Sequence, residues 1–193
     1  MTGELVPPEL PPLDGDEQFL GMAGTVRDFW AFAIPDLRTN NVRGWLAEYL
    51  VWRALGVEHP SRREWDTHDV EVDGLRVEVK ASGYLQAWKQ RRLSTLTFSG
   101  LAARAWPLDS YEMAAEYTYN ADVYVFAVQT ATTHDAYAPL DVSQWRFAVL
   151  PRATLTRLGF RSITWARVLA EAGGDLTLAD LGAAIRAAAT IRP

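Results

Sequence analysis

The sequence contains no cysteine and only three histidines, His59, His68 and His134. The absence of cysteine excludes disulfide bonds and thiolate metal sites, and so few histidines count against a zinc site, which usually uses cysteine and histidine. Any metal ion would therefore have to be held by oxygen atoms. Oxygen ligands favour Mg²⁺ or Mn²⁺.

Long apolar runs are also missing. No stretch approaches the ~18 consecutive apolar residues of a membrane-spanning helix. Residues 1–16 are acidic and rich in proline, whereas a secretory signal peptide begins with basic residues followed by an apolar segment. The sequence therefore predicts a cytoplasmic protein with no membrane partner.

Positive charge is in deficit, because 19 Lys and Arg residues face 24 Asp and Glu residues, which gives a net charge of −5. This balance counts against broad, nonspecific binding of polyanions. Two local basic clusters remain, one at Arg62 and Arg63 and one at Lys89, Arg91 and Arg92. They are either solvated loop residues or contacts to the phosphates of a nucleic acid.

The composition favours a folded protein. A hydrophobic content of 49% and eight tryptophans in 193 residues allow a substantial core. We expect residues 1–16 to form a flexible, proline-rich arm and residues 17–193 to form a single domain. Its core spans about residues 40–158, and a helical extension follows.

Hydrophobic periodicity predicts an α/β sandwich with a central mixed β-sheet, because strand patterns lie between two groups of helical patterns. The helical patterns cover residues 17–32, 40–55, 152–158, 165–172 and 178–189, with a helical turn at 84–89. The strand patterns cover residues 64–72, 75–81, 93–99, 122–129 and 145–150. The near-continuous apolar run at 122–129 is typical of a central strand covered on both faces.

An Asp-Gly pair at residues 73 and 74 separates two short runs of alternating apolar residues. This pattern predicts a β-hairpin with a two-residue type I′ turn. In such a hairpin residue 70 faces residue 77, and residue 69 faces residue 78. The register therefore decides which side chains share a face of the hairpin.

The hairpin would place Asp69, Glu78 and Lys80 on the face opposite the valines. Asp69 and Glu78 would form a non-hydrogen-bonded pair, with Cα atoms roughly 4.5 Å apart. Two carboxylates at that distance repel each other unless a cation lies between them. The pattern therefore predicts a site for a divalent metal, with a lysine beside it.

A charged solvent face without a chemical role is the alternative, and Arg76 on the same face could relieve the repulsion. The use of lysine favours a site, because Lys80 and Lys89 are the only lysines in the chain. A compact, rotatable ammonium can hold a water molecule or a phosphate oxygen, for which a planar guanidinium is no direct substitute.

Glu48 is the only acid in the helical pattern at residues 40–55. Its neighbours three and four positions away are Gly44, Trp45, Val51 and Trp52, and none of them can pair with a carboxylate. Such an acid either reaches water or meets a cation from another element. If the helix packs beside the hairpin, Glu48 could orient a metal-bound water or act as a further ligand.

With these residues the chain resembles the PD-(D/E)XK nuclease superfamily, which has the restriction-endonuclease-like fold. The family's helical acid, strand Asp and Glu-x-Lys match Glu48, Asp69, Glu78 and Lys80. Further likeness lies in residues 78–88 and 144–151, and the resemblance covers roughly residues 40–158, as in uncharacterised bacterial members of restriction or defence type. The proline that usually precedes the family's Asp is replaced by His68.

The resemblance implies a metal-dependent nuclease that hydrolyses phosphodiester bonds, with DNA as the expected substrate, in restriction, defence or repair. Asp69 and Glu78 would bind Mg²⁺ or Mn²⁺ together with the backbone carbonyl of Val79. Lys80 would position or deprotonate a water, Glu48 would orient it or hold a second metal, and Gln86 would contact the water or the substrate. Many enzymes of this class dimerise to cut two strands, so a homodimer is a further expectation.

Two other functions compete with this one. A sugar hydrolase needs two carboxylates roughly 5–9.5 Å apart across a cleft, and a lysine within the group counts against it. A PD-(D/E)XK-like module that has lost activity could bind nucleic acid or protein, although intact Asp, Glu and Lys count against the loss. For Trp88, beside Lys89 and Arg91, we expect packing rather than stacking on an unpaired base.

Overall fold

The computed structural model describes residue 8 and residues 10–62, 67–104 and 114–191. Arg63 lies outside these residues. So do the start of the strand predicted at 64–72 and part of the arm predicted at 1–16. Chain contacts divide the protein into two units, residues 1–36 and residues 37–193.

Among its described residues, the first unit contains one helix, α1, at Val26–Ala33. It is shorter than the helix predicted from residue 17, because the chain begins the helix with a capping box. The Thr25 side chain accepts from the Asp28 amide, and the Asp28 carboxylate accepts from the Thr25 amide. Gly24, with φ of +130°, breaks any helix before this cap.

Among the described residues, the second unit contains six strands, four further α-helices and one short 3-10 helix at Val142–Gln144. The strands are β1 at Val70–Val72, β2 at Leu75–Gly83, β3 at Thr97–Ser99, β4 at Val123–Gln129, β5 at Trp145–Pro151 and β6 at Ser162–Thr164. The helices are α2 at Asn40–Ala54, α3 at Arg152–Leu158, α4 at Trp165–Ala172 and α5 at Leu178–Ala189.

Four strands form one sheet in the order β1-β2-β4-β5. β1 and β2 pair antiparallel, β2 and β4 pair parallel, and β4 and β5 pair antiparallel. The short strands β3 and β6 form a separate antiparallel pair. The prediction of a mixed α/β protein with a mixed central sheet is therefore confirmed.

Each face of the sheet carries its own hydrophobic cluster. α2 and α5 pack on one face, and α3, α4 and the β3–β6 pair contribute to the cluster on the other. The first cluster includes Ala47, Leu50, Val51, Val77, Val79, Val125, Leu181 and Ile185, and the second includes Phe98, Tyr124, Phe126, Leu150, Leu155, Ile163 and Val168. Every residue of β4 is buried, as expected of a central strand covered on both faces.

Besides α1, three predicted elements differ from the structure. Among the described residues, the strand predicted over residues 64–72 is confined to β1 at Val70–Val72. The strand predicted over residues 93–99 is confined to β3, because only its last three residues find a partner in β6. No helical turn forms at residues 84–89, where polar side chains satisfy the backbone instead. Within the described ranges, no helix has the length and apolar character needed to cross a membrane.

Gly182 sets how closely α5 approaches α2. A Cβ atom at this position would collide with the carbonyl oxygen of Ala54, at the C-terminal end of α2. We expect Gly182→Ala to lower the free energy of unfolding by about 1–3 kcal/mol, because the overpacked contact outweighs the better helix propensity of alanine. Urea unfolding followed by circular dichroism measures this difference.

Gly44 provides the matched control, because it also lies in a helix but a Cβ there would meet nothing within 4 Å. Gly44→Ala should leave the stability unchanged or raise it by about 0.5–1 kcal/mol. Equal effects of the two substitutions would contradict the close approach of α5 to α2.

Candidate functional site

The hairpin forms as the Asp-Gly pair predicts. Asp73 and Gly74 have φ values of +54° and +77°, the left-handed backbone that both central residues of a type I′ turn require. The ladder pairs Val70 with Val77 and Val72 with Leu75. The predicted register of β1 and β2 is therefore confirmed over these residues.

Asp69 lies just before the ladder, so the expected pairing of Asp69 with Glu78 is not part of it. The Asp69 amide donates to the carbonyl of Val77 at 3.2 Å. The Asp69 carboxylate accepts from the amide of Val79 at 2.7 Å. This hydrogen bond holds the carboxylate against β2, beside the backbone between Glu78 and Lys80.

Glu78 and Lys80 are two residues apart on β2 and form an ion pair, with 2.6 Å between Lys80 Nζ and Glu78 Oε1. Both side chains are largely buried, since their exposed fractions are 18% and 23%. Gly100 lies against the pair, because a Cβ there would sit 3.7 Å from Lys80 Nζ. The ammonium is therefore held in one place rather than extended into solvent.

Glu48 is a buried acid on α2, with 11% of its side chain exposed. Of the two alternatives left open for this acid, water or a cation from another element, the structure shows the cation, because Arg62 Nε lies 2.8 Å from Glu48 Oε2. The Arg62 guanidinium also stacks over the ring of Trp45, 5.5 Å from its centroid. Arg62, expected at a phosphate, thus belongs to the acid site in this structure.

The pKa values show that the three acids interact. Burial, and then the nearby Asp69 carboxylate, raise the pKa of Glu78 to about 7, although Lys80 opposes the rise. Burial, and then Asp69, likewise raise the pKa of Glu48 to about 7 against the effect of Arg62. Burial raises the pKa of Asp69 as well, although the Val79 amide and Lys80 lower it. A bound cation would favour the ionised carboxylates and so lower these pKa values.

The chemistry of these donors fits a hard divalent cation, because all of them are oxygen atoms. Among the described residues, however, no three His, Cys, Asp or Glu side chains form a group able to hold a metal ion. The candidate ligands of a divalent cation are therefore two carboxylates, those of Asp69 and Glu78. Mg²⁺ is often bound by one or two carboxylates, with waters and substrate phosphates completing its shell.

Gln86, expected near the water or the substrate, is engaged within the chain. Its Nε2 donates to the carbonyl of Gly83 at 3.2 Å and to Ser94 Oγ at 3.0 Å. Its Oε1 accepts from Arg43 Nη2 at 3.1 Å. A role of Gln86 toward water or substrate stays a prediction, whereas its structural role is visible.

The second basic cluster lies on the surface. Lys89, Arg91 and Arg92 are all exposed, in the segment that follows β2. Trp88 is 57% exposed, so the expectation that it packs against the protein is wrong. Trp145 is fully buried, as expected of a core tryptophan.

Three residues near the site were missed by sequence reasoning. Arg43, only 2% exposed, binds oxygens of the segment after β2. Tyr124 pairs with Glu78 in the parallel register of β2 and β4, and burial raises the pKa of its hydroxyl. His68 lowers the pKa of Asp69 and binds Glu71 with 3.0 Å between Nε2 and Oε2. Of these three residues, only His68 carried a signal in the sequence, because it directly precedes Asp69.

Comparisons with models of protein families, with curated proteins and with solved structures find no match to this chain. The assignment of a function therefore depends on the geometry and charge of Glu48, Asp69, Glu78 and Lys80.

Proposed function

We propose that the protein is a metal-dependent nuclease of the PD-(D/E)XK type that hydrolyses phosphodiester bonds, with DNA as its substrate. The observation that carries the proposal is the convergence of Glu48, Asp69, Glu78 and Lys80. Their elements are separated in sequence, yet Asp69 raises the pKa of both glutamates and Lys80 lowers the pKa of Asp69. Active sites concentrate perturbed acids of this kind.

The fold supports the proposal. The mixed sheet has helices on both faces, and we take it as a restriction-endonuclease-like α/β/α sandwich. Glu78-x-Lys80 lies on β2, Asp69 comes directly before the antiparallel neighbour β1, and Glu48 lies on α2, which packs against β2. This placement of the acids and the lysine is compatible with the sequence motif and supports the proposal.

Asp69 and Glu78 would hold Mg²⁺ or Mn²⁺, with the Val79 carbonyl as a further oxygen donor. When bound, the metal lowers the pKa of a water and stabilises negative charge on the phosphate. Lys80 orients the attacking water through its ammonium and offsets charge that develops on the phosphate oxygens. Glu48, held by Arg62, fixes the position of neighbouring donors.

The direct test is cleavage of single- and double-stranded DNA and RNA with Mg²⁺, Mn²⁺ or EDTA. We expect cleavage with either metal and none in EDTA. Glu48→Gln should lower the rate by about 10–100-fold, the usual cost of losing a group that orients metal ligands. Glu58→Gln, at an exposed position just after α2, is the matched control and should leave the rate unchanged.

Calorimetric titration with Mn²⁺ tests the metal ligands separately. Asp69→Asn should abolish the binding heat, whereas Asp73→Asn, in the turn of the same hairpin, should retain it, because asparagine also suits a type I′ turn. Identical titrations of the two variants would overturn the metal site. Cleavage that persists in EDTA would overturn the proposed function.

One observation favours a second candidate, an inactive PD-(D/E)XK-like module that binds nucleic acid or protein. Lys80 pairs with Glu78 and Arg62 pairs with Glu48, so two of the three acids have a cation without any metal. Nucleic-acid binding without metal-dependent cleavage would favour this candidate.

A further inference from the structure

The segment from Tyr84 to Ser94 is closed on itself by its own polar groups; we call it the 84–94 loop. The Ser94 amide donates to the Tyr84 carbonyl at 2.9 Å and closes the base of the loop. Gln90 Oε1 accepts from the Gln86 amide at 2.7 Å, and Gln90 Nε2 donates to Ser94 Oγ at 3.0 Å. The loop is therefore built to keep one conformation.

Arg43 fastens the 84–94 loop to α2, the helix that carries Glu48. Its Nη1 donates to the Leu85 carbonyl and its Nη2 to Gln86 Oε1, both at 3.1 Å. Gly83 makes room for this guanidinium, because a Cβ at that position would collide with it. One buried side chain thus couples the position of the loop to the position of the acid site.

The outer part of the loop presents an aromatic ring among cations. Trp88 is the most exposed tryptophan of the described residues, at 57%, and Lys89, Arg91 and Arg92 beside it are exposed. No carboxylate in the described part of the chain lies within ion-pair distance of these three cations. An exposed aromatic ring and exposed, unneutralised positive charge therefore lie within five residues of one another on this loop.

We propose that the 84–94 loop binds a single-stranded segment of nucleic acid, with an unpaired base stacked on Trp88 and phosphates on Lys89, Arg91 and Arg92. This inference rests on the proposed nuclease function and names its substrate class: single strands or frayed duplex ends. Bases inside a duplex are covered on both faces by their neighbours, so the interior of a duplex has no free face for the indole. Base–aromatic stacking together with a basic track is the usual means of holding single strands.

The position of the loop suits a substrate of the acid site. It follows β2 directly, and Tyr84 lies four residues beyond Lys80, about 13 Å along an extended strand. A single-stranded nucleic acid held on the 84–94 loop is thus bound next to β2, which carries Glu78 and Lys80. Because base faces and phosphates are common to DNA and RNA, the loop alone does not choose between them.

Fluorescence anisotropy with a labelled 12-nucleotide single strand and the matching duplex tests the inference, in EDTA so that no metal-dependent cleavage occurs. We expect the single strand to bind about tenfold more tightly than the duplex. Trp88→Leu, which keeps an apolar side chain without a ring, should weaken single-strand binding by about tenfold or more. Trp88→Phe, which keeps a ring, should recover most of the affinity.

The salt dependence tests the cations. The double variant Arg91→Gln/Arg92→Gln should reduce the slope of log Kd against log salt by about 1–1.5, since each lost phosphate contact contributes about 0.7 for single strands. The matched control is Arg157→Gln/Arg167→Gln, which removes the same charge from a pair that binds Glu171. It should leave the slope unchanged.

Equal affinity for single strand and duplex, or no effect of Trp88→Leu, would overturn the inference. The same measurement with single-stranded DNA and with single-stranded RNA shows which of the two the loop binds more tightly. If either of the two overturning results is found while metal-dependent cleavage is intact, only the inference about the loop is overturned and the nuclease proposal stands. Single-strand binding that depends on Trp88, without cleavage in any metal, would overturn the nuclease and leave the loop as a binding site.

Discussion

Lys80→Met is expected to lower the rate of cleavage by about 10²–10⁴-fold, the range for losing a group that acts on the proton or the charge of the transition state. Lys80 Nζ lies 2.6 Å from Glu78 Oε1, so the ammonium is fixed within the acid site. Single-turnover cleavage at saturating metal measures the change. Lys80→Arg should recover only part of the rate, because a planar guanidinium cannot occupy the place of an ammonium.

Lys80 also lowers the pKa of Asp69 and Glu78, so its removal raises both and weakens metal binding at neutral pH. A pH profile separates this indirect effect from a direct one. If Lys80 acted only through the carboxylates, raising the pH from 7 to 9 would restore the rate of Lys80→Met. A deficit that persists at pH 9 assigns the ammonium to the chemical step. Arg157→Met, an exposed charge on α3, controls for general loss of charge.

Local sequence signals predicted the elements that have clear boundaries. The bounds of α3, α4 and α5 match the predicted helices, and caps explain why: Thr164 caps α4, while Gly159 and Gly173 end α3 and α4 in the left-handed conformation. The Asp-Gly turn fixed the hairpin for the same reason, since both residues tolerate positive φ.

Elements that depend on distant partners were predicted less well. β3 is short because its length is set by β6, more than sixty residues later in the chain, rather than by its own alternating pattern. The helix α1 is a separate case, because it was predicted to start at residue 17 with Asp16 as its cap, whereas the local capping box at Thr25 starts it at Val26.

The acid site was predictable because its residues carry a local signal, whereas its supporting contacts do not. The Asp-Gly turn brings Asp69 back beside β2, although its expected pairing with Glu78 lies outside the ladder. Helix geometry showed that Glu48 lacks a partner on α2. Its partner, Arg62, lies 14 positions from Glu48 in the sequence. Arg43 binds Gln86, which lies 43 positions away. No periodicity of a helix or strand relates positions at such separations, so only the folded chain reveals them.

Glu78→Gln is expected to stabilise the metal-free protein at pH 8 by about 1–3 kcal/mol, since each unit of pKa shift corresponds to about 1.4 kcal/mol. The folded pKa of Glu78 is raised from 4.5 to about 7 by burial and by Asp69. The ionised carboxylate therefore destabilises the fold as the pH rises from 4.5 through 7. The gain from glutamine should be absent near pH 4.5 and complete above about 7.

Urea unfolding in EDTA at pH 5 and pH 8 measures this gain, and Glu171→Gln gives a control of opposite sign. Arg157 and Arg167 lower the pKa of Glu171, so its removal should reduce stability at pH 8. Mg²⁺ should stabilise the wild type more than Glu78→Gln, because binding to the folded state alone adds stability. A loss of stability in Glu78→Gln at pH 8 would mean that the attraction to Lys80 exceeds the cost of burial. The acids would then be held in place by their own ion pairs, with no excess of negative charge for a metal to balance.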